Sequence, residues 1–341
     1  MTVRARRSLR RVLLTALCVL VLLFALAALG LRLYYRLGAR SYYDASEPAF
    51  PIPGLSDGFI PQGLSYDAPE DLFLVTGYQK DGSASPVYLV DRASGEARGK
   101  VLLTTPDGTA YTGHAGGLTV HGDYLYVAGG GSGLYVYRRA DLLAAQDGDA
   151  LPCVGIFPTA WEGDAVGVAF TATDGERLYA GQFYREENYP TPDSHKRTTA
   201  AGDYNTALML AYDFSDGPDS ILGLSPAPAE VYSLPGLVQG ACFDGDTLWL
   251  STSYGMPFSH LYAYDLTRAN RTETDLFGGL PLTELDSACR VREWKIAPMS
   301  EEIEIVDGKL YTMCESASSK YLFGNLLSAR TCYATWTRYR G

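Results

Sequence analysis

The chain has 341 residues, enough to bury a substantial core, and its net charge of −11 conceals two unlike parts. Residues 1–40 hold eight Arg and no acid, which leaves 20 basic against 39 acidic residues beyond them, a net of about −19 with each His neutral. A surface of that sign repels phosphate backbones and anionic lipid headgroups, so nucleic-acid binding is disfavoured and neutral or cationic partners are favoured.

Val12 to Leu31 is a run of 20 residues without a charge, close to the hydrocarbon thickness of a bilayer at helical rise. Arg4, Arg6, Arg7, Arg10 and Arg11 precede it, and Arg32, Arg36 and Arg40 follow. The heavier positive flank keeps residues 1–11 cytoplasmic and sends the remainder outward, which makes residues 12–31 a transmembrane signal-anchor in the cell membrane and residues 32–47 a linker. The rival reading is a cleaved signal peptide with Ala25-Leu26-Ala27 at its processing site.

Beyond the linker the chain repeats itself. Five times a small-residue start leads into an apolar strand, a tight turn and a Leu-aromatic strand: from Gln62, Gly116, Val166, Gln239 and Glu302. The aligned positions Gly63, Gly117, Gly167, Gly240 and Ile303 are 54, 50, 73 and 63 residues apart, which is blade-sized spacing. Asp174-Gly175, Asp244-Gly245 and Asp307-Gly308 are two-residue hairpin turns of the kind that needs positive φ. Third strands are expected from Pro86, Gly133, Leu208, His260 and Lys320, and outer strands at Lys100 and Glu230. Four strands per unit, repeated radially, give an all-β fold: a five-bladed β-propeller over residues 48–326, with six blades as the alternative. Pro53-Gly54-Leu55 matches Pro235-Gly236-Leu237, so residues 48–55 are expected to supply the outer strand of the last blade. The tail at 327–341 competes for that edge.

The Pro61-Gln62-Gly63-Leu64 opening and the recurring Leu-Tyr-Val strands resemble the exported bacterial propellers built from YVTN-type or gluconolactonase-like repeats. In gluconolactonase-like enzymes the first repeat opens with a metal-binding Glu, where this chain has Gln62, so the metal ligands that the resemblance implies are not carried over.

In a propeller the loop entering the first strand of a blade and the loop leaving the second share one face, around the central channel. The entry loops offer Gln62, His114, Glu162, Asp164, Gln239, Glu301 and Glu302, and the exit loops offer Tyr78, Gln182, Tyr184, Tyr254 and Glu315, as ligand-binding candidates. Gln62 and Gln239 have a plainer role open to them, satisfying buried backbone groups. The polar insertion from Arg185 to Asn205 leaves the third blade on the same face, as a lid or a surface loop. No nucleophile elbow accompanies His114, and His121, His195 and His260 form no metal-ligand pair, with the last two read as loop residues. Paired carboxyls, Glu301 or Glu302 against Glu162 or Asp164, are the arrangement that glycoside hydrolysis would use. The residues call for no cofactor; calcium, with about six to eight oxygen ligands, is the ion these acids would suit. Of the five cysteines beyond the span, Cys289 and Cys332 are the expected disulfide pair. The sequence therefore points to a membrane-anchored, extracytoplasmic propeller that binds a glycan or peptide or serves as a scaffold for an envelope protein, with a glycosidase or lactonase as the alternative.

Overall fold

A computed structural model describes residues 3–321 and 324–337 of the chain. An N-terminal helix, Val3–Gly38, is followed by a short helix, Arg40–Asp44, and then by five sheets whose inner strands contact one another in a closed circle. Blade one runs outward as Phe59–Asp67, Leu72–Gln79, Pro86–Asp91 and Ala97–Leu103. Blade two is Leu118–His121, Tyr124–Ala128, Gly133–Arg138 and Cys153–Pro158. Blade three is Phe170–Thr173, Arg177–Gly181, Ala207–Asp213 and Glu230–Leu234, and blade four is Val238–Asp244, Thr247–Thr252, Ser259–Asp265 and Arg290–Ile296. The molecule is a five-bladed propeller preceded by one apolar helix long enough to cross a membrane, Arg10–Gly38, whose most apolar stretch has a mean hydropathy of 3.0.

Five hydrophobic clusters fill the five gaps between neighbouring blades, and the two-residue period of a strand decides which gap each side chain enters. Phe73 and Val75 face blade five while Leu74 faces blade two; Leu248 and Leu250 face blade three while Trp249 faces blade five. Both faces of each sheet are thus covered, which is why the second strands read as unbroken apolar runs (Leu72-Phe73-Leu74-Val75, Leu248-Trp249-Leu250) instead of alternating with polar residues.

Closure differs in one respect from the sequence expectation. Blade five consists of Ser300–Val306, Lys309–Cys314, Thr331–Trp336 and, outermost, Ser46–Pro51. The N-terminal segment closes the ring, but it pairs with Thr331–Trp336, so the tail supplies the third strand and does not compete for the edge. Of the third strand expected from Lys320, Leu322 and Phe323 lie outside the described residues, and Gly324–Leu327 is a helical turn. The hairpin Asn270–Thr274/Leu280–Glu284, inserted in blade four, joins the outer edge of blade three, and Ala150–Leu151 does the same for blade one. In blade three the strand begins at Phe170, three residues beyond the Gly167 that the repeat alignment chose. Gly181 makes room there: a Cβ on it would stand 2.0 Å from the Phe170 ring.

All six cysteines are free. Cys289 is buried between blades three and four and Cys332 between blades five and one, so the two are in separate parts of the core and form no disulfide.

The stretch between span and propeller is docked. Tyr42 is buried in the cleft between blades four and five beside Trp249 and Trp294 and hydrogen-bonds to Thr312. Tyr35 Oη donates to the Met256 carbonyl at 2.8 Å, and its ring packs on Phe258, with centroids 5.1 Å apart.

Candidate functional site

The inner strands of blades one, four and five each carry a β-bulge near their start. Pairing slips between Pro61 and Gly63, between Val238 and Gly240, and between Ser300 and Ile303. A bulge inserts a residue that the ladder leaves unpaired and re-aims its side chain. The residues inserted are Gln62, Gln239, and Glu301 with Glu302. Three of these, Gln62, Gln239 and Glu301, line a cavity of about 440 Å³ at the axis.

Glu302 has a different destination. Its Oε2 accepts from Leu64 N at 2.6 Å and Leu118 N at 2.9 Å, and its Oε1 from Thr171 N at 3.1 Å and Thr171 Oγ1 at 3.4 Å. Inner strands of neighbouring blades share no ladder here, and this one carboxyl satisfies backbone donors of blades one, two and three from blade five. All four partners are donors, and both carboxyl oxygens accept from them. Burial pushes its pKa well above the ordinary carboxylate range, and the three backbone N–H groups pull against that. Close packing makes this possible: a Cβ on Gly240 would lie 2.5 Å from Glu302 Cα, and one on Gly63 3.2 Å from Glu302 Oε2. Glu302 is thus an axial tie beneath the cavity and does not line it.

Glu301, only 2 % exposed, meets the cavity with its carboxyl, and among the described residues no group hydrogen-bonds to that carboxyl. Burial, followed by the charge of Glu315, drives its pKa well above the ordinary range, opposed by Lys320. Glu315 accepts from Tyr78 Oη at 2.9 Å and lies 3.6 Å from the Lys320 ammonium, which itself hydrogen-bonds to Tyr78 Oη and stands 5.2 Å from the Tyr321 ring centroid. His114 stacks on Tyr78 with centroids 4.4 Å apart, and burial lowers its pKa, which keeps the imidazole neutral at pH 7. Gln62 gives its amide N–H to its neighbour's carbonyl, Pro61 O, at 2.9 Å. Phe183, Tyr189 and Tyr254 form the wall over blades three and four.

Seven sequence candidates therefore share one cavity: Gln62, Tyr78, His114, Gln239, Tyr254, Glu301 and Glu315. The other five stand elsewhere. Asp164 Oδ2 accepts from Phe277 N at 2.8 Å, and Glu162 packs on Gly278, so this hairpin clamps the 276–278 turn at the outer edge and brings no carboxyl to Glu301. Gln182 Oε1 accepts from Leu208 N at 3.1 Å and from His195 Nδ1 at 3.0 Å, and the Tyr184 carbonyl accepts from Leu237 N at 3.0 Å. Glu302 is the axial tie. His195 stays in the insertion, where it is buried, whereas His260 is on a strand and not in a loop, 2.7 Å from Glu293 Oε1.

The insertion within blade three, between its second and third strands, meets the pocket only at its start and anchors its distal part outward. Arg197 pairs with Glu284 at 3.0 Å, Ala200 N donates to the same carboxylate at 3.0 Å, and Asp203 Oδ2 accepts from Ser287 N at 2.7 Å. Of this segment only Tyr189 lines the cavity. Lys320, Tyr321, Phe183 and Tyr189 were not singled out in the sequence. Lys320 and Tyr321 were read as strand, and the nearest signal was their place in a Ser-rich stretch just after Glu315. Among the described residues no group of three or more His, Cys, Asp or Glu stands close enough to hold a metal ion.

Fold and cavity together define a five-bladed propeller with a central pocket on the face reached by the second-to-third-strand loops. No protein-family model and no curated protein matches the chain. Among solved structures it is similar to Myxococcus xanthus glutaminyl cyclase, at 12 % identity and a TM-score of 0.41 over 79 % of this chain and 90 % of that one. It is similar also to a luciferin-regenerating enzyme, at 10 % and 0.41 over 86 % and 96 %, and to BamB from Moraxella catarrhalis, at 10 % and 0.33 over 82 % and 84 %. Likenesses this distant carry no functional argument, and the propeller assignment stands on the strand order itself.

Proposed function

We propose that the chain is a membrane-anchored, extracytoplasmic ligand-binding propeller, and that its ligand is a small, uncharged, hydroxyl-bearing molecule held in the axial pocket. The observation that carries this reading is Glu301, a carboxyl all but removed from solvent that faces a cavity of about 440 Å³ with no protein partner among the described residues. The Glu301 carboxyl oxygens are reached from the cavity, and a ligand hydroxyl there would hydrogen-bond to them. Burial favours the protonated form of Glu301, in which the carboxyl can both donate and accept. Gln62 and Gln239 add amide groups, and Phe183 adds an apolar ring of the kind that packs on sugars. The ammonium of Lys320 is engaged by Glu315 and Tyr78, which leaves no free cation for an acidic ligand among the described lining residues.

The test is binding of a panel of neutral glycosides to the full chain in detergent, by calorimetry. Saturable binding that falls at least about tenfold in Glu301→Ala, a loss of about 1.4 kcal/mol, supports the reading; binding unchanged by that substitution removes it.

One observation favours a hydrolase as the second reading. Glu301 and Glu315 share the pocket, one with its protonated form favoured by burial and one paired with Lys320, an unequal pair of the kind general acid–base chemistry uses. The resemblance to gluconolactonase-like repeats adds lactones to the substrates worth testing. Turnover of chromogenic glycosides or lactones that disappears in Glu301→Gln would select this reading over simple binding.

A further inference from the structure

The helix that reads as a membrane span and the pocket are on the same face of the propeller. From Arg10 to Ala27 the helix is fully exposed; its first contacts are at Ala28 and Leu31, and it is buried at Tyr35. What it touches are loops on the pocket face. Tyr35 bonds to Met256, Gly38 abuts Phe258, and the helix packs on Gly324–Leu327. The same two loops carry Tyr254 and Tyr321, which wall the pocket. The uncharged run ends at Leu31, four residues before Tyr35, a rise of about 6 Å. The pocket rim therefore lies within about two helical turns of the level where the span leaves the hydrocarbon.

A feature of the surface agrees with that placement. Tyr189 is 50 % exposed, Tyr254 39 % and Met256 51 %, all on the pocket rim or beside it, and exposed aromatics belong at the depth of lipid headgroups.

We infer that the pocket opens toward the bilayer and takes its ligand from the membrane: a lipid whose uncharged, hydroxylated headgroup, such as a glycosyl group, enters beside Glu301 while its acyl chains remain in the leaflet. The inference rests on the pocket reading above and adds the source of the ligand to it. Aromatic rim residues meet the apolar part of such a molecule, and Gln62, Gln239 and Glu301 meet the polar part.

The test has two arms, both on the full chain in phosphatidylcholine nanodiscs. In the first, the photo-cross-linking residue p-benzoylphenylalanine replaces Tyr189, Tyr254 or, on the opposite face, Asp246. Lipid adducts at 189 and 254 and none at 246 are expected; adducts at 246, or none at the rim, overturn the placement. In the second, binding of monoglucosyl diacylglycerol in the disc is compared with that of methyl glucoside in solution. The lipid is expected to bind about 100-fold more tightly, because the membrane confines it beside the site, and both are weakened by Glu301→Ala. Equal affinities, with the same Glu301 dependence, overturn the membrane source and leave the pocket reading intact. If neither ligand binds, both readings fall.

Discussion

Glu301 and Glu302 are consecutive residues in one bulge, and they have opposite fates. Glu302 accepts from three blades and is saturated; Glu301 is as deeply buried and, among the described residues, has nothing to bond. A regular strand would send neighbours to opposite faces and return the next residue to the ladder. Here the slip between Ser300 and Ile303 releases both side chains toward the axis at two depths. Burial alone therefore does not distinguish a structural acid from a site acid; the inventory of partners does. The lower acid ties blades one, two and three to blade five, and the upper one faces the cavity.

The largest effect that would break this contrast is on the axial tie. Glu302→Ala leaves the N–H groups of Leu64, Leu118 and Thr171 without their acceptor and is expected to cost about 3–5 kcal/mol, read by urea denaturation. A loss below about 1 kcal/mol would show that water replaces the carboxylate easily, and that Glu302 resembles its neighbour after all. Gly240→Ala sharpens the same point from the other side. The added methyl would meet backbone, Glu302 Cα at 2.5 Å and Ile303 N at 3.0 Å, so a destabilisation of about 1–3 kcal/mol is expected.

Acidity gives a third handle. Burial lifts Glu304, further along the same strand, from 4.5 to about 7, while Tyr66 N donates to it at 3.1 Å. A carboxyl with a raised pKa binds its proton more tightly folded than unfolded. Its contribution is full below pH 4.5, declines as pH rises through the window to about 7, and is constant above. Burial shifts Glu301 and Glu302 in the same direction. Thermal melts should show stability falling across that window by about 3 kcal/mol from Glu304 alone, and Glu304→Gln should flatten the curve. A stability that climbs between pH 4.5 and 7 in both proteins would contradict the assignment of these burials.

The smallest expected effect concerns the docked helix. Tyr35→Phe removes one hydrogen bond, to the Met256 carbonyl, and is expected to cost about 1 kcal/mol while making the 256–258 loop more accessible to protease.

Much of the ring was legible in the residues. The five repeats, the Asp-Gly hairpins and the echo of Pro235-Gly236-Leu237 in Pro53-Gly54-Leu55 led to five blades and to an N-terminal outer strand, because turn chemistry and strand period are local properties. What local patterns do not encode is competition between distant segments. Lys320 to Asn325 has strand-like composition, yet Thr331–Trp336 takes the third position because it places Cys332 and Ala334 in the gap beside blade one. For the same reason Asp164, assigned to the channel by loop position, is drawn away by the backbone N–H of Phe277, 113 residues downstream. Bulges were invisible as well. Gln62, Gln239 and Glu301 were singled out as polar groups beside inner strands, and the slip in register that brings them to one cavity emerges only when strands pair.

The measurement closest to the centre of this account is a side-by-side urea unfolding of Glu301→Gln and Glu302→Gln in the full chain at pH 7. Among the described residues no group hydrogen-bonds to the Glu301 carboxyl, so the first variant breaks no such bond and is expected to unfold within about 1 kcal/mol of the parent, on either side. In the second an amide nitrogen must confront N–H donors in place of an acceptor oxygen, and a loss of about 2–4 kcal/mol is expected. Equal losses, or the greater loss at Glu301, would contradict the division of the two neighbours into a pocket acid and an axial tie.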